Sequence, residues 1–552
     1  MLIKIVVTHE TALRQKYGVH FNAVKSAVDR LIAADALRGV ATSLVLLDGS
    51  DMGRWKAKSN NPESFKDAID HVFFLKGRPD YVVILGGPDV VPHQRLNTPL
   101  VGDAADEDRD IPSDLPYACN APGSAVVGSF IGPSRVVSRV PDAQGENPDV
   151  SILVGLLDAA AKWRPKAKST ETYFGLSADV WEKSTRLSLR ALFGAKAEPR
   201  TSPLEGPKWT SSQLSPMWHF INCHGAPVDP HFYGQKGNDY PVAQQADTLP
   251  SRIRNGTVVA AECCYGAEVY DPVATTGPGI CMAYLVGGAI AFMGSTTIAY
   301  GPSDSNASAD LICRYFIESC MSGASTGRAF LEARQRFAKE ASPLSPVDLK
   351  TLAQFILLGD GGLRAVTTNR RGSGKTSLAK ASAFLTSHIR VRGALAEQAV
   401  LLTRGGETAS DTAGSASKSI HNRMADEARS AGYAPGARAM TFEVTPARDV
   451  VARSILATGR KSAGGRKDAG ARPDITRFHV LQATAGASGQ DGDGAKAMTG
   501  ARIRRRAGRE VGSIPKRMVV VGREVAGKVV EIRRYYAHAG IIAQCPRRTE
   551  DE

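Results

Sequence analysis

Residues 257–264, TVVAAECC, run from a turn through a short apolar stretch and then place two cysteines side by side ahead of Gly266. A run of four to eight apolar residues bounded by turn residues is typical of a buried strand. Residues 218–224, WHFINCH, repeat the pattern and end on His224, which Gly225 follows. The two stretches therefore predict strands that finish on a thiol and on an imidazole.

The first 366 residues alternate such strands with amphipathic helical stretches. The predicted strands also include residues 3–8, 42–48, 80–87 and 287–295, and the predicted helices are residues 21–37, 310–320 and 326–339. This alternation predicts an α/β domain with a largely parallel sheet. Because active sites of open α/β sheets gather at the carboxyl ends of the strands, we expect the imidazole and the thiols to lie at one edge.

An imidazole beside a thiol is the arrangement that a cysteine nucleophile needs. A free thiol is mostly protonated near neutral pH, and a neighbouring imidazole raises the thiolate fraction and later protonates the leaving amine. A glycine after each group lets a substrate backbone approach closely, and the turn can offer an N–H group to an oxyanion. We therefore predict a nucleophilic cysteine at this edge of the sheet.

Four further motifs follow one another along the chain. They are YVVILGGPDVVP at residues 81–92, IPSDLPYA at 111–118, SRVVSRVP at 134–141 and FILLGDGGLR at 355–364. Together with the His-Gly and the Cys-x-Gly, which lie 40 residues apart, this order resembles the gingipain-like C25 branch of the caspase-fold (clan CD) cysteine peptidases. The resemblance covers nearly all of the first 366 residues. It implies a three-layer α/β/α fold with a mostly parallel sheet and a cysteine endopeptidase that needs no cofactor.

The resemblance also assigns roles at the two strand ends. The family pattern of an acidic residue or Gln, a small residue, Cys, any residue and Gly matches residues 262–266. It makes Cys264 the implied nucleophile and puts Cys263 in the small-residue position. His224 is implied as the proton carrier, and the N–H groups of Gly225 and Cys264 as oxyanion donors. Strand alternation agrees, because only one of two neighbouring residues can face the imidazole.

Substrate specificity is predicted from the residue two positions before the nucleophile. Alternation puts this residue, Glu262, on the same face as Cys264. In the resembled family this position lines the pocket for the substrate side chain, and the loop that carries Tyr300 and Asp304 here lines the same pocket. A carboxylate in a partly desolvated pocket favours a cationic guest, so the sequence predicts cleavage after Arg or Lys.

Length, composition and charge predict three parts. A chain of 552 residues exceeds what one hydrophobic core can organise, and we assign residues 1–160 and 161–366 to two subdomains of the peptidase. Residues 367–552 are rich in Gly, Ala and Arg, and from Arg370 onward the net charge is +16, against −2 before it. This composition predicts a basic, partly flexible region. Within it, apolar stretches predict a small β module, at residues 399–403, 478–483 and 517–536.

Two motifs in the basic region suggest other functions. Residues 370–380, RRGSGKTSLAK, imitate a phosphate-binding loop, but Asn369 stands where the pattern needs its first glycine. The arginine run at residues 502–509 could contact phosphates, yet no aromatic residues interleave it, so we favour a solvated linker over nucleic-acid binding. The paired arginines in both segments are instead predicted sites of self-processing.

Composition also sets expectations about metals, redox state and location. The His and Cys residues near the strand ends lack the Cys-x-x-Cys or His-x-x-x-His spacing of a closed zinc site, so we expect no metal. The eight scattered cysteines predict reduced thiols rather than a disulfide framework. The first residues are typical of a strand rather than a signal peptide, and no apolar stretch approaches the roughly 20 residues of a membrane span. We therefore expect a cytoplasmic protein.

One alternative stays open. A catalytically inactive member of the caspase fold could serve as a scaffold or binding module whose basic tail holds nucleic acid or an anionic surface. The presence of both His224 and Cys264 argues against it. The expected partner is a protein or peptide substrate, and the resemblance makes a regulated bacterial protease system conceivable.

Overall fold

The computed structural model describes residues 2–100, 106–145, 148–167, 172–341, 344–367, 415–430, 433–444, 476–485, 517–525 and 528–537. The motifs at residues 370–380 and 502–509 and the apolar stretch at 399–403 lie outside them.

The strands of the described residues are numbered along the chain. They are β1 (Leu2–Thr8), β2 (Val40–Leu46), β3 (Tyr81–Leu85), β4 (Gln94–Asn97), β5 (Asp110–Ser113), β6 (Val137–Val140), β7 (Tyr173–Ala178), β8 (Arg200–Ser202), β9 (Trp218–Asn222), β10 (His231–Tyr233), β11 (Val242–Gln245), β12 (Val258–Ala261), β13 (Ala291–Ser295), β14 (Tyr300–Gly301), β15 (Phe355–Leu358), β16 (Tyr433–Val444), β17 (Thr476–Ala485), β18 (Arg517–Val525) and β19 (Lys528–Ala537).

The α-helices of the described residues are numbered in the same way. They are α1 (Glu10–Tyr17), α2 (Phe21–Leu37), α3 (Pro62–Leu75), α4 (Val150–Lys162), α5 (Glu182–Phe193), α6 (Ser211–Leu214), α7 (Ile280–Val286), α8 (Ser308–Met321), α9 (Thr326–Glu340), α10 (Pro346–Gln354) and α11 (Ser415–Ser430). Short 3-10 helices connect several of them, and one of these, Asp179–Trp181, precedes α5.

A ten-stranded sheet forms the centre of the fold, in the order β2-β1-β3-β6-β15-β13-β12-β9-β7-β8. Its neighbouring strands are parallel except at one place, where β15 runs antiparallel to β13. Strands such as β3, YVVIL, are apolar at every position because both faces of a parallel sheet are covered. The predicted mostly parallel α/β fold is confirmed.

Helices cover both faces of this sheet. On one face α2 contacts α4, which contacts α7, and on the other α8 contacts α5, α9 and α10. The side chains of β12 alternate between the two layers, since Val258 and Ala260 pack with the core under α8 and Val259 and Ala261 with the core under α7. The fold therefore has the three layers that the sequence predicts.

Several helices begin where the sequence supplies a cap. The Asn61 side chain accepts hydrogen bonds from the N–H groups of Glu63 and Ser64 at the start of α3, and Pro62 fills the first position. Ser345 and Asp348 form a reciprocal capping box at the start of α10. These side chains satisfy N–H groups that have no acceptor within the helix, which fixes where the helix begins.

Three of the sequence motifs meet at one buried arginine, Arg139. Its Nε and Nη2 donate to the two carboxylate oxygens of Asp114, at 3.0 and 2.6 Å. Its Nη1 donates to the carbonyl oxygens of Gly86 and Val91, at 3.0 and 2.7 Å. Asp114 is therefore the buried partner of Arg139 within the fold.

The fourth motif is anchored in a similar way. Lys4 of β1 donates to Asp360 at 2.7 Å and also pairs with Asp35, and all three side chains are buried. This contact ties residues 355–364 to the first strand of the chain. The four motifs are thus held by buried ion pairs of the scaffold.

A second sheet contains the described strands of the C-terminal region. Its order is β14-β19-β18-β17-β16, all neighbours are antiparallel, and α11 packs against it. These strands include the stretches 478–483 and 517–536. The division at residues 160 and 366 stays a prediction, and the ten-stranded sheet is continuous across the first of these boundaries.

Among the residues that the structure describes, none of the helices combines the length and the apolar character that crossing a membrane requires.

Candidate active site

The two strand ends that carry the predicted groups lie side by side. Strand β9 pairs in parallel with β12, so that both finish at the same edge of the sheet. The regular strands end at Asn222 and Ala261, earlier than the sequence predicts. The chain then continues to His224 on one side and to Cys263 and Cys264 on the other. The structure therefore brings the imidazole and both thiols to one edge.

The two cysteines face opposite layers. Cys263 packs with Cys223 in the core under α7, and Cys264 packs in the core under α8. A Cβ placed on Gly225 would lie 3.5 Å from the Cβ of Cys263. Because neighbouring residues of an extended chain point to opposite sides, this puts the preceding His224 on the face of Cys264.

The backbone is closely packed at both strand ends, at Gly225 and in the turn after the cysteines. A Cβ on Gly225 would come within 2.0 Å of the carbonyl oxygen of Cys264, so only glycine fits there. Tyr265 has a φ of 54°, which costs a residue with a side chain about 1–2 kcal/mol. Its N–H donates to the carbonyl oxygen of Thr297 at 3.1 Å, and the N–H of Gly266 donates to that of Cys263 at 3.1 Å. These bonds hold the strained turn in place.

His224 is oriented by a glutamine. Its Nε2 lies 2.8 Å from Oε1 of Gln235, whose own amide nitrogen donates to the carbonyl oxygen of Gly237 at 3.1 Å. That second bond assigns the amide oxygen to the imidazole, so Nε2–H is the donor and Nδ1 is the basic nitrogen. The ring also packs 4.5 Å from the ring of Trp181 and 5.2 Å from that of Tyr240, and it is buried.

The thiol of Cys264 lies against the loop that follows β13. Its Sγ accepts a hydrogen bond from the N–H of Ala299 at 3.2 Å and lies 3.7 Å from the carbonyl oxygen of that residue. The side chain has no exposed surface. Burial raises the pKa of the Cys264 thiol well above its ordinary value, and the Asp108 carboxylate adds to this effect. In this conformation Cys264 is a neutral thiol.

A cluster of charged residues lies behind this thiol. Lys350 pairs with Asp106 and, at 2.6 Å, with Asp108. Asp108 also accepts from the hydroxyl of Tyr265 at 2.7 Å and from the N–H of Ile298 at 2.9 Å. Burial would raise the pKa of Asp108, but Lys350 and these donors outweigh it and lower the pKa. Burial raises the pKa of Asp106 to about 6, with Lys350 opposing.

Glu262 lies beneath the sheet edge, against α8. It is fully buried and its carboxyl group faces that of Asp310. Burial, reinforced by the second carboxyl group, raises the pKa of Glu262 well above its ordinary range, and burial raises the pKa of Asp310 to about 7. Both carboxyl groups therefore favour the protonated form in this conformation.

The two other predicted pocket residues, Tyr300 and Asp304, differ in burial. Tyr300 is fully buried, hydrogen-bonds the side chain of Asp106 and lies 5.4 Å from the ammonium group of Lys350. Asp304 is exposed, and the neighbouring carbonyl of Ser303 accepts from the N–H of Ser184 at 3.3 Å. Ser184 also hydrogen-bonds the carboxyl group of Asp310, so Ser184 links the loop that carries Asp304 to the Glu262–Asp310 pair.

The predicted oxyanion donors keep their N–H groups available. Neither the N–H of Gly225 nor that of Cys264 donates a hydrogen bond to a backbone carbonyl of the described residues. Both groups flank the point where β9 and β12 end. The described part of the chain contains no cluster of three His, Cys, Asp or Glu side chains that could hold a metal ion.

Several residues of this site were not found from the sequence. Gln235 reaches His224 because residues 224–233 fold back as a hairpin, in which His224 bridges to Tyr233. Strand β10 then pairs with β11, and the alternation of HFY and VAQQ on either side of a Gly- and Asn-containing turn was the available signal for this second hairpin, whose connection carries Gln235. Asp310 and Lys350 lie on helices remote in sequence, and no local pattern points to them.

Comparison with known proteins identifies the family of this segment. Residues 217–366 match the model of peptidase family C25, and this range contains both strand ends and the FILLGDGGLR motif. No curated protein matches the chain. Two solved structures are similar over 66% of this chain and 78% of theirs, with a TM-score of 0.42 each: one described as a protease, at 13% identity, and the Arg-specific cysteine proteinase gingipain R, at 12% identity.

The match covers just over a quarter of the chain, and it falls on the part that carries the imidazole and the thiols. The resemblance predicted from the motifs is confirmed. The similarity of residues 217–366 to peptidase family C25 supports a cysteine-type peptidase.

Proposed function

We propose that the chain is an endopeptidase in which Cys264 attacks the scissile carbonyl and His224 carries the proton. The observation that supports this most is the shared face of the two residues at the ends of adjacent parallel strands. Cys263 faces the opposite layer, against Cys223, whereas His224 lies on the face of Cys264.

The residues present can perform each step. Nδ1 of His224 takes the proton of the Cys264 thiol, and the thiolate forms a bond to the substrate carbonyl carbon. The N–H groups of Gly225 and Cys264 stabilise the oxyanion. The imidazolium then gives its proton to the leaving amine, and water hydrolyses the thioester by the same route in reverse. Gln235 holds the imidazole in the required tautomer.

This mechanism requires a movement of the nucleophile. The Cys264 side chain has to turn from Ala299, in the loop after β13, towards His224, which follows β9 on the other side of β12. Leaving that buried position also removes the cause of its raised pKa. The described conformation is therefore the resting state in this proposal.

Variants of both cysteines test the assignment. Cys264→Ala should lower cleavage of a peptide substrate at least about a thousandfold, and His224→Ala should do nearly the same. Cys263→Ala is the matched control and should retain most of the activity, with a stability loss of about 1 kcal/mol from the lost packing. Loss of activity in Cys263→Ala with a functional Cys264→Ala would overturn the assignment. An inactive scaffold would show no cleavage in any variant, including the unmodified chain.

We further propose that the substrate carries Arg or Lys before the scissile bond. The Glu262–Asp310 pair supplies two carboxyl groups behind the nucleophile, and a guanidinium entering beside them would release the shared protons and pair with the carboxylates. Opening of the Ser303–Asp304 loop would give access. Glu262→Gln should therefore reduce cleavage of an Arg peptide about tenfold or more and leave a Gln peptide unchanged. Preference for Asp, or equal Arg cleavage in the variant, would contradict this.

The cellular setting is also a proposal. The cysteines of the described residues are free thiols, at positions 119, 223, 263, 264, 281, 313 and 320, which fits a reducing compartment such as the cytoplasm. Self-processing at the arginine pairs of residues 370–371 and 504–506, and activation within a regulated bacterial system, would follow from Arg specificity. Mass spectrometry of the purified chain, compared with Cys264→Ala, detects such cuts.

A further inference from the structure

The strand β14 lies next to the candidate nucleophile. It begins at Tyr300, directly after Ala299, whose N–H donates to the thiol of Cys264. The same loop is joined to the turn of the nucleophile, since the carbonyl oxygen of Thr297 accepts from the N–H of Tyr265 at 3.1 Å. The first residue of β14 therefore directly follows the residue that contacts the thiol.

A strand of the C-terminal region occupies the edge of β14. Strand β19 pairs with it in antiparallel register, with Tyr300 opposite Ala537 and Gly301 opposite Tyr536. On its other side β19 pairs with β18, so β14 extends the C-terminal sheet by one strand. Val521 of β18 is 5% exposed and belongs to the hydrophobic core of the peptidase part. The C-terminal sheet is thus attached to the peptidase by backbone pairing and by apolar packing.

An unpaired strand edge beside a nucleophile is a docking surface for an extended peptide. Its free N–H and C=O groups bind a peptide backbone by strand addition, and the occupant then lies along the edge with its scissile bond fixed. In the described conformation this edge already has an occupant from the same chain. The strand and a peptide substrate cannot both pair with the same backbone groups.

We propose that β14 is the strand to which a peptide substrate adds and that β19 is its intramolecular competitor, so that the C-terminal sheet covers the candidate active site. This inference rests on the proposed peptidase function. The state of Cys264 agrees with a covered site, because the thiol is fully buried, neutral and held by Ala299. Release of β19 frees the edge and loosens the loop of residues 296–299 around the thiol.

A pair of proline variants of the full chain tests the cover. Ala537 is the last residue of β19 and pairs with Tyr300 of β14. The pairing of β19 with β18 ends one residue earlier, at Tyr536. Ala537→Pro removes a backbone donor and disturbs the pairing with β14. Ala485→Pro is the matched control, because Ala485 ends β17 at the same end of the sheet and pairs with Tyr433, away from β14.

The readout is the alkylation rate of Cys264 by iodoacetamide, mapped by peptide mass spectrometry, together with cleavage of an Arg peptide. Ala537→Pro should raise both at least about tenfold, since it opens a local structure that now protects the thiol. Ala485→Pro should leave both unchanged. If Ala537→Pro and the unmodified chain are alkylated at the same rate, or if Ala485→Pro shows the same rise, the proposal that the C-terminal sheet covers the site is overturned. Faster alkylation of Ala537→Pro with no cleavage by any variant supports the cover and overturns the peptidase proposal.

A measurement on the unmodified chain guards against a variant that fails to fold. A peptidyl probe that reacts with Cys264 should displace β19, and hydrogen exchange of residues 528–537 should then rise while that of residues 476–485 stays the same. Unchanged exchange in residues 528–537 of the labelled protein contradicts the proposal.

Discussion

Two buried carboxyl groups of this molecule have opposite surroundings. Asp114 receives two bonds from the guanidinium of Arg139, and despite its burial this cation and His93 hold the pKa of Asp114 far below its usual range. Glu262 faces another carboxyl group, Asp310, and burial raises the pKa of both. The first group has a cationic partner within the fold, whereas the second lies beside another acid.

This difference distinguishes the buried charged groups that stabilise the fold from those of the candidate active site. The motifs at residues 81–92, 111–118 and 134–141 supply the carbonyls, the carboxylate and the arginine of one closed cluster. At the carboxyl ends of β9 and β12, by contrast, a thiol, an imidazole and two carboxyl groups are buried. Burial raises the pKa of the Cys264 thiol and of the Glu262 and Asp310 carboxyl groups. Perturbed groups of this kind concentrate where a protein binds or reacts.

Breaking the scaffold cluster should have the largest effect on stability. Arg139→Met leaves the Asp114 carboxylate and two carbonyls without their donor in a buried place, and we expect a loss of about 3–5 kcal/mol in the free energy of unfolding. Urea unfolding of the full chain, followed by tryptophan fluorescence, measures it. The control is Arg14→Met, which removes an exposed pair with Glu10 and should cost about 0.5 kcal/mol or less. Similar losses in both variants would contradict the distinction between scaffold and site.

The Glu262–Asp310 pair should have a smaller effect on the free energy of unfolding, and the stability that it supplies should fall as the pH rises. The folded pKa of Asp310, about 7, lies above its unfolded value of 3.8. The stability that this proton supplies is complete below about pH 4 and is lost as the pH rises towards 7. Compared with Asp310→Asn, the unmodified chain should therefore lose on the order of 2 kcal/mol more between pH 5 and pH 8. A difference between the two proteins that is the same at both pH values would show that the carboxyl groups do not share protons.

The hydrogen bond that orients the imidazole should have the smallest effect. Gln235→Leu removes the acceptor of Nε2–H, and we expect kcat for peptide cleavage to fall about tenfold while KM stays the same. Gln235→Glu keeps an acceptor and should restore most of kcat. A change in KM alone, or no rescue by Glu, would mean that Gln235 shapes the substrate cleft instead of orienting His224.

Much of the layout followed from local patterns in the sequence. The helix predicted at residues 21–37 is α2, and those predicted at 310–320 and 326–339 are α8 and α9, because the spacing of apolar residues is a local signal. The strand predicted to reach Cys264 ends at Ala261 instead. The positive φ of Tyr265 and its bond to Thr297 turn the chain there, and neither is visible in an apolar run.

Contacts between remote segments could not be predicted in this way. Glu262 has a protonated partner because α8 packs against β12, and Cys264 is buried because the loop after β13 folds over it. The pairing of β19 with β14 joins residues more than 230 positions apart. Each of these contacts depends on tertiary packing, which the spacing of residues along one strand does not encode.

The identity of the nucleophile is the central claim, and mapping a covalent probe tests it most directly. An Arg-containing peptidyl acyloxymethyl ketone, incubated with the full chain and located by peptide mass spectrometry, should modify Cys264. Labelling should persist in Cys263→Ala and vanish in Cys264→Ala and His224→Ala. A probe attached to Cys263, with labelling that survives Cys264→Ala, would contradict the account.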